Sequence, residues 1–132
     1  MLYQILGWLS VAILVIVTAP YWLRTLNNWT IKTKDKRFLN FLKFLRKLHK
    51  PLGVVLAGIA LWHAYLALGS LRLHTGLLVY LGILLTAVLG YLHHRKKDKR
   101  IFKGHKTMAL ISALLLVLHL LWPGAIWYLF KV

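Results

Sequence analysis

The chain has 132 residues, and 60% of them are hydrophobic, a larger share than the roughly 45–50% of soluble domains. It has no cysteine, which excludes disulfides, thiolate metal sites and iron–sulfur clusters. The net charge of +16 comes from basic residues between apolar segments rather than on a soluble face, so we expect no nucleic-acid partner.

Four apolar segments follow one another, each close to the ~20 residues that cross about 30 Å of hydrocarbon. We predict spans at residues 2–23, 48–69, 73–93 and 105–130. The first lacks a convincing signal-peptide pattern, so we expect a retained helix that kinks or ends near Pro20. The predicted fold is an all-α membrane protein, a four-transmembrane-helix bundle of up-down topology forming a single domain over residues 1–132.

The segments between these spans have different expected structures. Apolar residues recur at helical spacing among basic ones over about Lys36–Lys50, which predicts an amphipathic helix on the cytoplasmic leaflet, with a bend at Pro51. A solvated basic loop is the alternative. Residues 95–106 are more polar, so we expect a hairpin connection over anionic lipid. Pro123 is expected to kink the end of the fourth span.

The distribution of lysine and arginine predicts the orientation in the membrane. Nine of these residues lie in 24–50 and seven in 95–106, whereas only Arg72 and Lys131 lie on the other side. With four spans the two basic segments share a side, which the positive-inside rule makes cytoplasmic, so both termini should lie outside. We expect an integral protein of a bacterial or archaeal cytoplasmic membrane.

Two predicted spans each carry a pair of histidines 14 residues apart, His49 with His63 and His105 with His119. At ~3.6 residues per turn, such a pair lies on one helix face with about 21 Å between its members. Because the two spans run in the same direction, His49 should share one membrane depth with His105. His63 should share a second depth with His119. Each facing imidazole pair can ligate one haem iron, so we predict two haem groups.

Other residues are assigned to the surroundings of these groups. Arg72, Lys50 and Lys106 are candidate contacts of haem propionates, and lipid or solvent contact is the alternative for each. His74, at the outer start of the third span, is a candidate quinone or proton site, with a plain interfacial residue as the alternative. Small residues between the histidines leave room for a flat macrocycle or serve ordinary helix packing. They are Gly53, Ala57, Gly58, Ala60, Ala109, Ser112 and Ala113.

Two sequence patterns resemble the membrane core of ferric reductases and NADPH oxidases, and are similar to the four-helix haem core of respiratory cytochrome b proteins. They are Leu48-His49-Lys50-Pro51-Leu52-Gly53 followed by His63, and Gly104-His105-Lys106 followed by His119. The resemblance covers spans two to four. It implies that His49 and His105 bind a cytoplasmic-side haem b, and that His63 and His119 bind an outer one. The reductases and oxidases carry further spans and a flavin and nicotinamide domain that this sequence does not show, so we expect a minimal dihaem cytochrome b.

The expected function is transmembrane electron transfer by a cytochrome subunit rather than by a self-contained enzyme. It would pass electrons between a quinol or cytoplasmic donor and an extracytoplasmic acceptor. Membrane lipid and a redox protein or quinone are the expected partners, and an oligomer is open. Two alternatives are a cofactor-free membrane anchor subunit and a histidine-lined metal or proton transporter. Such a transporter would normally use carboxylates in the membrane, whereas Asp35 and Asp98 both lie in basic segments.

Overall fold

The structure is a computed structural model that describes residues 1–69 and 74–130, apart from the side chains of Leu68 and Phe130. The described residues form α-helices and one π-helical turn, with no strand among them. The elements are α1 (Leu2–Leu26), the π-helical turn (Asn27–Ile31), α2 (Lys36–Leu68), α3 (Thr75–Lys96), α4 (Lys99–Leu121) and α5 (Ala125–Phe130). Helices α1 to α4 are long and apolar enough to cross a membrane, which confirms the all-α membrane fold class.

Large apolar side chains cover much of the surface of these helices. Val54 is 75% exposed, Leu110 63% and Leu114 62%. Water penalises extended apolar surface of this kind, whereas lipid tails are as apolar as leucine. In the described part of the chain, every buried side-chain nitrogen or oxygen has a hydrogen-bond partner, as a hydrocarbon environment demands. Length, composition and exposure together indicate an integral membrane protein.

The chain divides into two structural units, of which the first is Met1–Ala60. Helix α1 does not end near Pro20 but continues to Leu26. Proline removes a single backbone donor, whereas ending a helix inside hydrocarbon leaves several backbone groups without partners. Continuing the helix is therefore the less costly solution. The buried apolar residues of this unit are Leu6, Ile13, Val17, Ala19, Leu42, Leu45 and Leu56.

Side chains hold the connection between α1 and α2. The Asn27 amide donates from Nδ2 to the Thr33 carbonyl at 3.1 Å and accepts at Oδ1 from the Thr33 N–H at 2.9 Å. The π-helical turn ends at Lys32, which has a φ of 51°. Asp35 Oδ1 then accepts from the Arg37 N–H at 2.9 Å. Asp35 thereby satisfies one of the unpaired N–H groups in the first turn of α2.

Helix α2 contains both the predicted amphipathic helix and the predicted second span. It begins at Lys36 and runs through Pro51 to Leu68, so the alternative of a basic loop is wrong. The predicted amphipathic segment is not a separate helix ending at residue 50, since α2 continues through Pro51. Pro51 deprives only the Lys47 carbonyl of its helical donor. Gly69 follows with a φ of 59°, a left-handed conformation that commonly ends helices.

The second unit is the described part of Leu61–Val132, and α3 and α4 pack against each other within it. Near one end of the pair, His93 Nδ1 lies 2.9 Å from the Asp98 carbonyl oxygen. Further along, a Cβ added at Gly82 would lie 2.6 Å from Ser112 Oγ. These contacts run in opposite order along the two helices, so α3 and α4 are antiparallel. Glycine at 82 allows the two backbones to approach closely, as small residues do between membrane helices.

Helices α3 and α4 are joined by Lys97 and Asp98 alone rather than by the long polar hairpin that we expected. Both helices extend into the basic segment, α3 to Lys96 and α4 from Lys99, beyond the span ends that we predicted at residues 93 and 105. Lysine and arginine are good helix formers outside hydrocarbon. In addition, Asp98 caps α4 by accepting at Oδ1 from the Arg100 N–H at 2.7 Å.

Helix α4 ends at Leu121, and residues 122–124 form a turn before α5. The predicted fourth span, residues 105–130, is therefore divided between two helices, α4 and α5. A break at Pro123 agrees with the expected disruption, because proline has no N–H for the helix and its ring clashes with the preceding turn. Arg72 and the predicted start of span three at residue 73 lie outside the described residues.

Candidate functional site

His119, on α4, is hydrogen-bonded to α3 through Nδ1. This nitrogen lies 2.9 Å from Thr75 Oγ1, and the Thr75 hydroxyl donates to the Pro123 carbonyl at 2.6 Å. A hydroxyl has one proton and a carbonyl only accepts, so Thr75 must accept from the Nδ1–H of His119. In the neutral ring the lone pair then lies on Nε2. Nε2 is therefore the nitrogen that His119 can offer to a metal.

His105, also on α4, is held by α3 in a related way. Its Nδ1 lies 2.8 Å from the Thr86 carbonyl oxygen. Because that oxygen can only accept, Nδ1 carries the proton and Nε2 the lone pair. The Thr86 hydroxyl donates separately to the Gly82 carbonyl at 2.7 Å. The backbone of α3, not a side chain, therefore sets the tautomer of His105.

Two glycines of α3 allow its backbone to lie close to these rings. A Cβ added at Gly76 would be 3.1 Å from His119 Cε1, and one added at Gly90 would be 3.1 Å from both Cε1 and Nδ1 of His105. Carbon atoms normally pack at about 3.5–4.0 Å, so a methyl group would displace either ring. The small residues predicted to line the macrocycles lie only in α2 and α4. The missed signal is that these glycines are 14 residues apart, the same interval as the histidines.

His63, on α2, belongs to the same structural unit as His119. His63 and His74 both lie close enough to act electrostatically on the His119 ring when they are protonated. The joint ligation of one iron by His63 and His119 stays a prediction.

His74 is the N-cap residue of α3. Its Nδ1 accepts from the Gly76 N–H at 3.4 Å. Its ring meets that of His119 edge-on, with 5.8 Å between ring centroids and 80° between ring planes. Capping accounts for the position of His74, and a quinone or proton role for this residue stays a prediction.

His49, on α2 in the first unit, has its Nδ1 2.8 Å from the Val17 carbonyl oxygen in α1. The same reasoning puts the proton on Nδ1 and the lone pair on Nε2. Three of the four predicted ligands thus share one tautomer. His93 also bonds a carbonyl through Nδ1, so the 14-residue spacing, not this bond alone, distinguishes the predicted ligands. The pairing of His49 with His105 stays a prediction.

Phe102 lies between two histidine rings at the basic end of α4. Ring centroids are 4.7 Å apart for Phe102 and His93 and 6.4 Å apart for Phe102 and His105, the latter pair lying within 12° of parallel. Lys106 Nζ lies 5.1 Å from the Phe102 centroid, at cation–π distance. Lys106 and Lys50 are both exposed, and their contact with propionates stays a prediction. Arg72, the third candidate for that contact, lies outside the described residues.

The donor chemistry is compatible with haem iron. Within residues 1–69 and 74–130, no group of three or more His, Cys, Asp or Glu side chains is placed to hold a metal ion. A haem iron needs only two axial ligands from the protein, since the porphyrin supplies the other four. Histidines that bind metals usually donate their second N–H to a carbonyl or other acceptor. His49, His105 and His119 do so here.

Comparisons of this chain with protein-family models, with curated proteins and with solved structures found no match. What the site does is therefore inferred from the chain's own residues.

Proposed function

We propose that this protein transfers electrons across a membrane through two haem b groups with histidine ligands. The ligands would be His49 with His105 at one level, and His63 with His119 at the other. One observation carries the proposal. α4 presents two histidines 14 residues apart, and α3 accepts the Nδ1–H of each, so Nε2 holds the lone pair at both levels.

The protein's contribution is to orient and tune these imidazoles. A hydrogen bond from Nδ1–H restrains ring rotation, selects the tautomer and makes Nε2 a stronger donor. The apolar surroundings lower the local dielectric, which also affects a reduction potential. A bound haem supplies one-electron iron chemistry, which amino-acid side chains of this kind lack.

The charge distribution supports the orientation of the proposed path in the membrane. Sixteen of the 18 lysines and arginines lie in residues 24–50 and 95–106, which we assign to the cytoplasmic side of a bacterial or archaeal membrane. Electrons would pass between a quinol or cytoplasmic donor and an extracytoplasmic acceptor. The chain would be a minimal dihaem cytochrome b, acting as one subunit of a larger electron-transfer system.

The first test is the absorption spectrum of the purified full-length protein. Expression in haem-replete cells should give a red preparation with low-spin b-type bands in the reduced-minus-oxidised spectrum. Haem extraction should give about two haems per chain, because each iron takes two of the four histidines. A folded but colourless protein would contradict the proposal and would favour an anchor or a transporter.

The second test assigns the ligands. His63→Ala and His119→Ala should each remove the same one of the two haems and retain the other, because both residues are assigned to one iron. His93→Ala is the matched control, since His93 makes the same kind of Nδ1–carbonyl bond outside the proposed pairs. It should retain both haems. Two haems in His119→Ala, or a lost haem in His93→Ala, would contradict the assignment.

A further inference from the structure

Thr75 joins three segments of the second unit. It is the first residue of α3, it contacts the ring of His119 on α4, and it reaches the turn that follows α4. Only 1% of its surface is exposed. His74, not Thr75, caps this helix start. The Thr75 hydroxyl instead bonds to groups outside its own helix.

The direction of the hydrogen bonds follows from the turn. The Pro123 carbonyl can only accept, and it lies 2.6 Å from Thr75 Oγ1. It therefore accepts the hydrogen bond from the Thr75 hydroxyl, which leaves the Thr75 oxygen to accept from His119 Nδ1–H at 2.9 Å. A threonine that lacked this carbonyl could equally donate to Nδ1 and would then favour the opposite tautomer.

This arrangement differs from that at the other level of α4. His105 is bonded to the backbone carbonyl of Thr86, which no substitution removes. His119 depends on a side-chain hydroxyl, which a substitution does remove. Neighbours that orient metal-binding histidines typically change metal affinity by about 10–100-fold when they are mutated.

We propose that Thr75 is the positioning residue for His119, holding its ring in the Nδ1–H tautomer through a relay to the Pro123 carbonyl. The consequence for a metal rests on the proposed function, in which Nε2 of His119 ligates the outer iron. A stronger Nε2 donor favours ferric over ferrous iron, so Thr75 lowers the reduction potential at that level alone.

The experiment compares Thr75→Val, which keeps the shape, with Thr75→Ser, which keeps the hydroxyl. Redox titration of the full-length protein, followed at the b-type bands, should show one potential raised in Thr75→Val and near wild type in Thr75→Ser. Each tenfold change in the ferric preference corresponds to about 59 mV. If Thr75→Val instead loses the one haem that His119→Ala loses, while Thr75→Ser retains it, that result supports the proposal equally.

Thr25→Val is the control. It also deletes a threonine hydroxyl from a helix, but that hydroxyl donates to the Tyr21 carbonyl within α1. Both potentials should stay at the wild-type values. Equal shifts in Thr75→Val and Thr25→Val would overturn the proposal. Wild-type potentials in Thr75→Val, or equal shifts in Thr75→Val and Thr75→Ser, would also overturn it.

A second measurement separates this inference from the proposed function. If the wild-type protein binds no haem, the electron-transfer proposal fails. ¹⁵N NMR of the haem-free protein with labelled histidine still reports the tautomer of His119. The Nδ1–H form should dominate in wild type and Thr75→Ser and decline in Thr75→Val. In this haem-free protein, an unchanged tautomer in Thr75→Val would overturn the role of Thr75.

Discussion

At Gly90, the missing side chain lets the backbone of α3 touch the ring of a predicted ligand. An added Cβ would lie 3.1 Å from His105 Cε1 and Nδ1, inside the ordinary packing distance of about 3.5–4.0 Å. The ring would have to move by a few tenths of an ångström. Its bond to the Thr86 carbonyl, now 2.8 Å, would lengthen or bend as a result.

Gly90→Ala should therefore weaken or remove the haem ligated by His105 while leaving the helices intact. Alanine favours a helix by about 1 kcal/mol over glycine, so general loss of fold is not the expected cause. Haem content and the difference spectrum measure the effect, and circular dichroism reports the helices. An unchanged spectrum at full haem content would contradict a close contact between α3 and the His105 ring.

Gly104→Ala is the control for this substitution. Gly104 precedes His105 directly, but a Cβ there would meet Leu89 Cδ1 at 3.7 Å, an ordinary contact. This variant should keep the wild-type spectrum. If Gly104→Ala and Gly90→Ala lost haem equally, sensitivity of the whole segment, rather than contact with the ring, would be the cause.

At the scale of the helices, the α3–α4 connection shows how polar residues end a membrane helix. Lys97 adopts a left-handed conformation, with φ 55° and ψ 23°, directly after α3. That conformation costs an L-residue roughly 1–2 kcal/mol, and glycine is the usual choice there. The connection therefore stores a small, removable strain.

Lys97→Gly should stabilise the protein by about 0.5–1 kcal/mol, since relief of the left-handed strain exceeds the greater chain entropy of glycine. Unfolding in mixed detergent micelles measures the free energy. Lys96→Gly removes the same charge from the last helical residue of α3 and should instead destabilise by up to about 1 kcal/mol. Destabilisation by both variants would argue against strain at Lys97.

The sequence predicted the number and approximate positions of the membrane helices because hydropathy alone determines them. It did not predict where α3 ends and α4 begins, since the basic residues around Lys97 were assigned to a loop. Their helix propensity and the cap at Asp98 prevailed over that polarity. The break at Pro123 was predictable because proline acts locally.

The candidate site was only partly predictable for a similar reason. Spacing within one helix is visible in sequence, so the four histidines could be proposed as ligands from sequence alone. Contacts between helices depend on rotation and depth, which periodicity does not determine. The sequence did not point to Thr75, because its proposed role depends on contacts with both the His119 ring and the Pro123 carbonyl.

At the scale of the whole molecule, the asymmetry of charge predicts an orientation in the membrane that labelling can test. The absence of cysteine allows single-cysteine labelling without background. Gln4 and Lys34 are both exposed and lie near opposite predicted faces. The positive-inside rule puts Gln4 outside and Lys34 in the cytoplasm.

In intact spheroplasts, a membrane-impermeant maleimide should label Gln4→Cys at once and Lys34→Cys only after lysis. Gel shift of the protein measures the labelling, and lysed cells provide the control for reactivity. The reverse pattern would invert the proposed topology. Labelling of both variants before lysis would show that the segments around them share one side.

The matched intervals on α3 and α4 also limit how this chain can change in length. One inserted residue advances a helix by ~1.5 Å and turns everything beyond it by about 100°. Such a change between Gly76 and Gly90, or between His105 and His119, would keep one histidine ring against its glycine. The other ring would be rotated away from its glycine. Insertions and deletions should therefore be tolerated in natural variants only outside these two stretches. The length of each stretch is constrained, whereas the helix ends can vary in length.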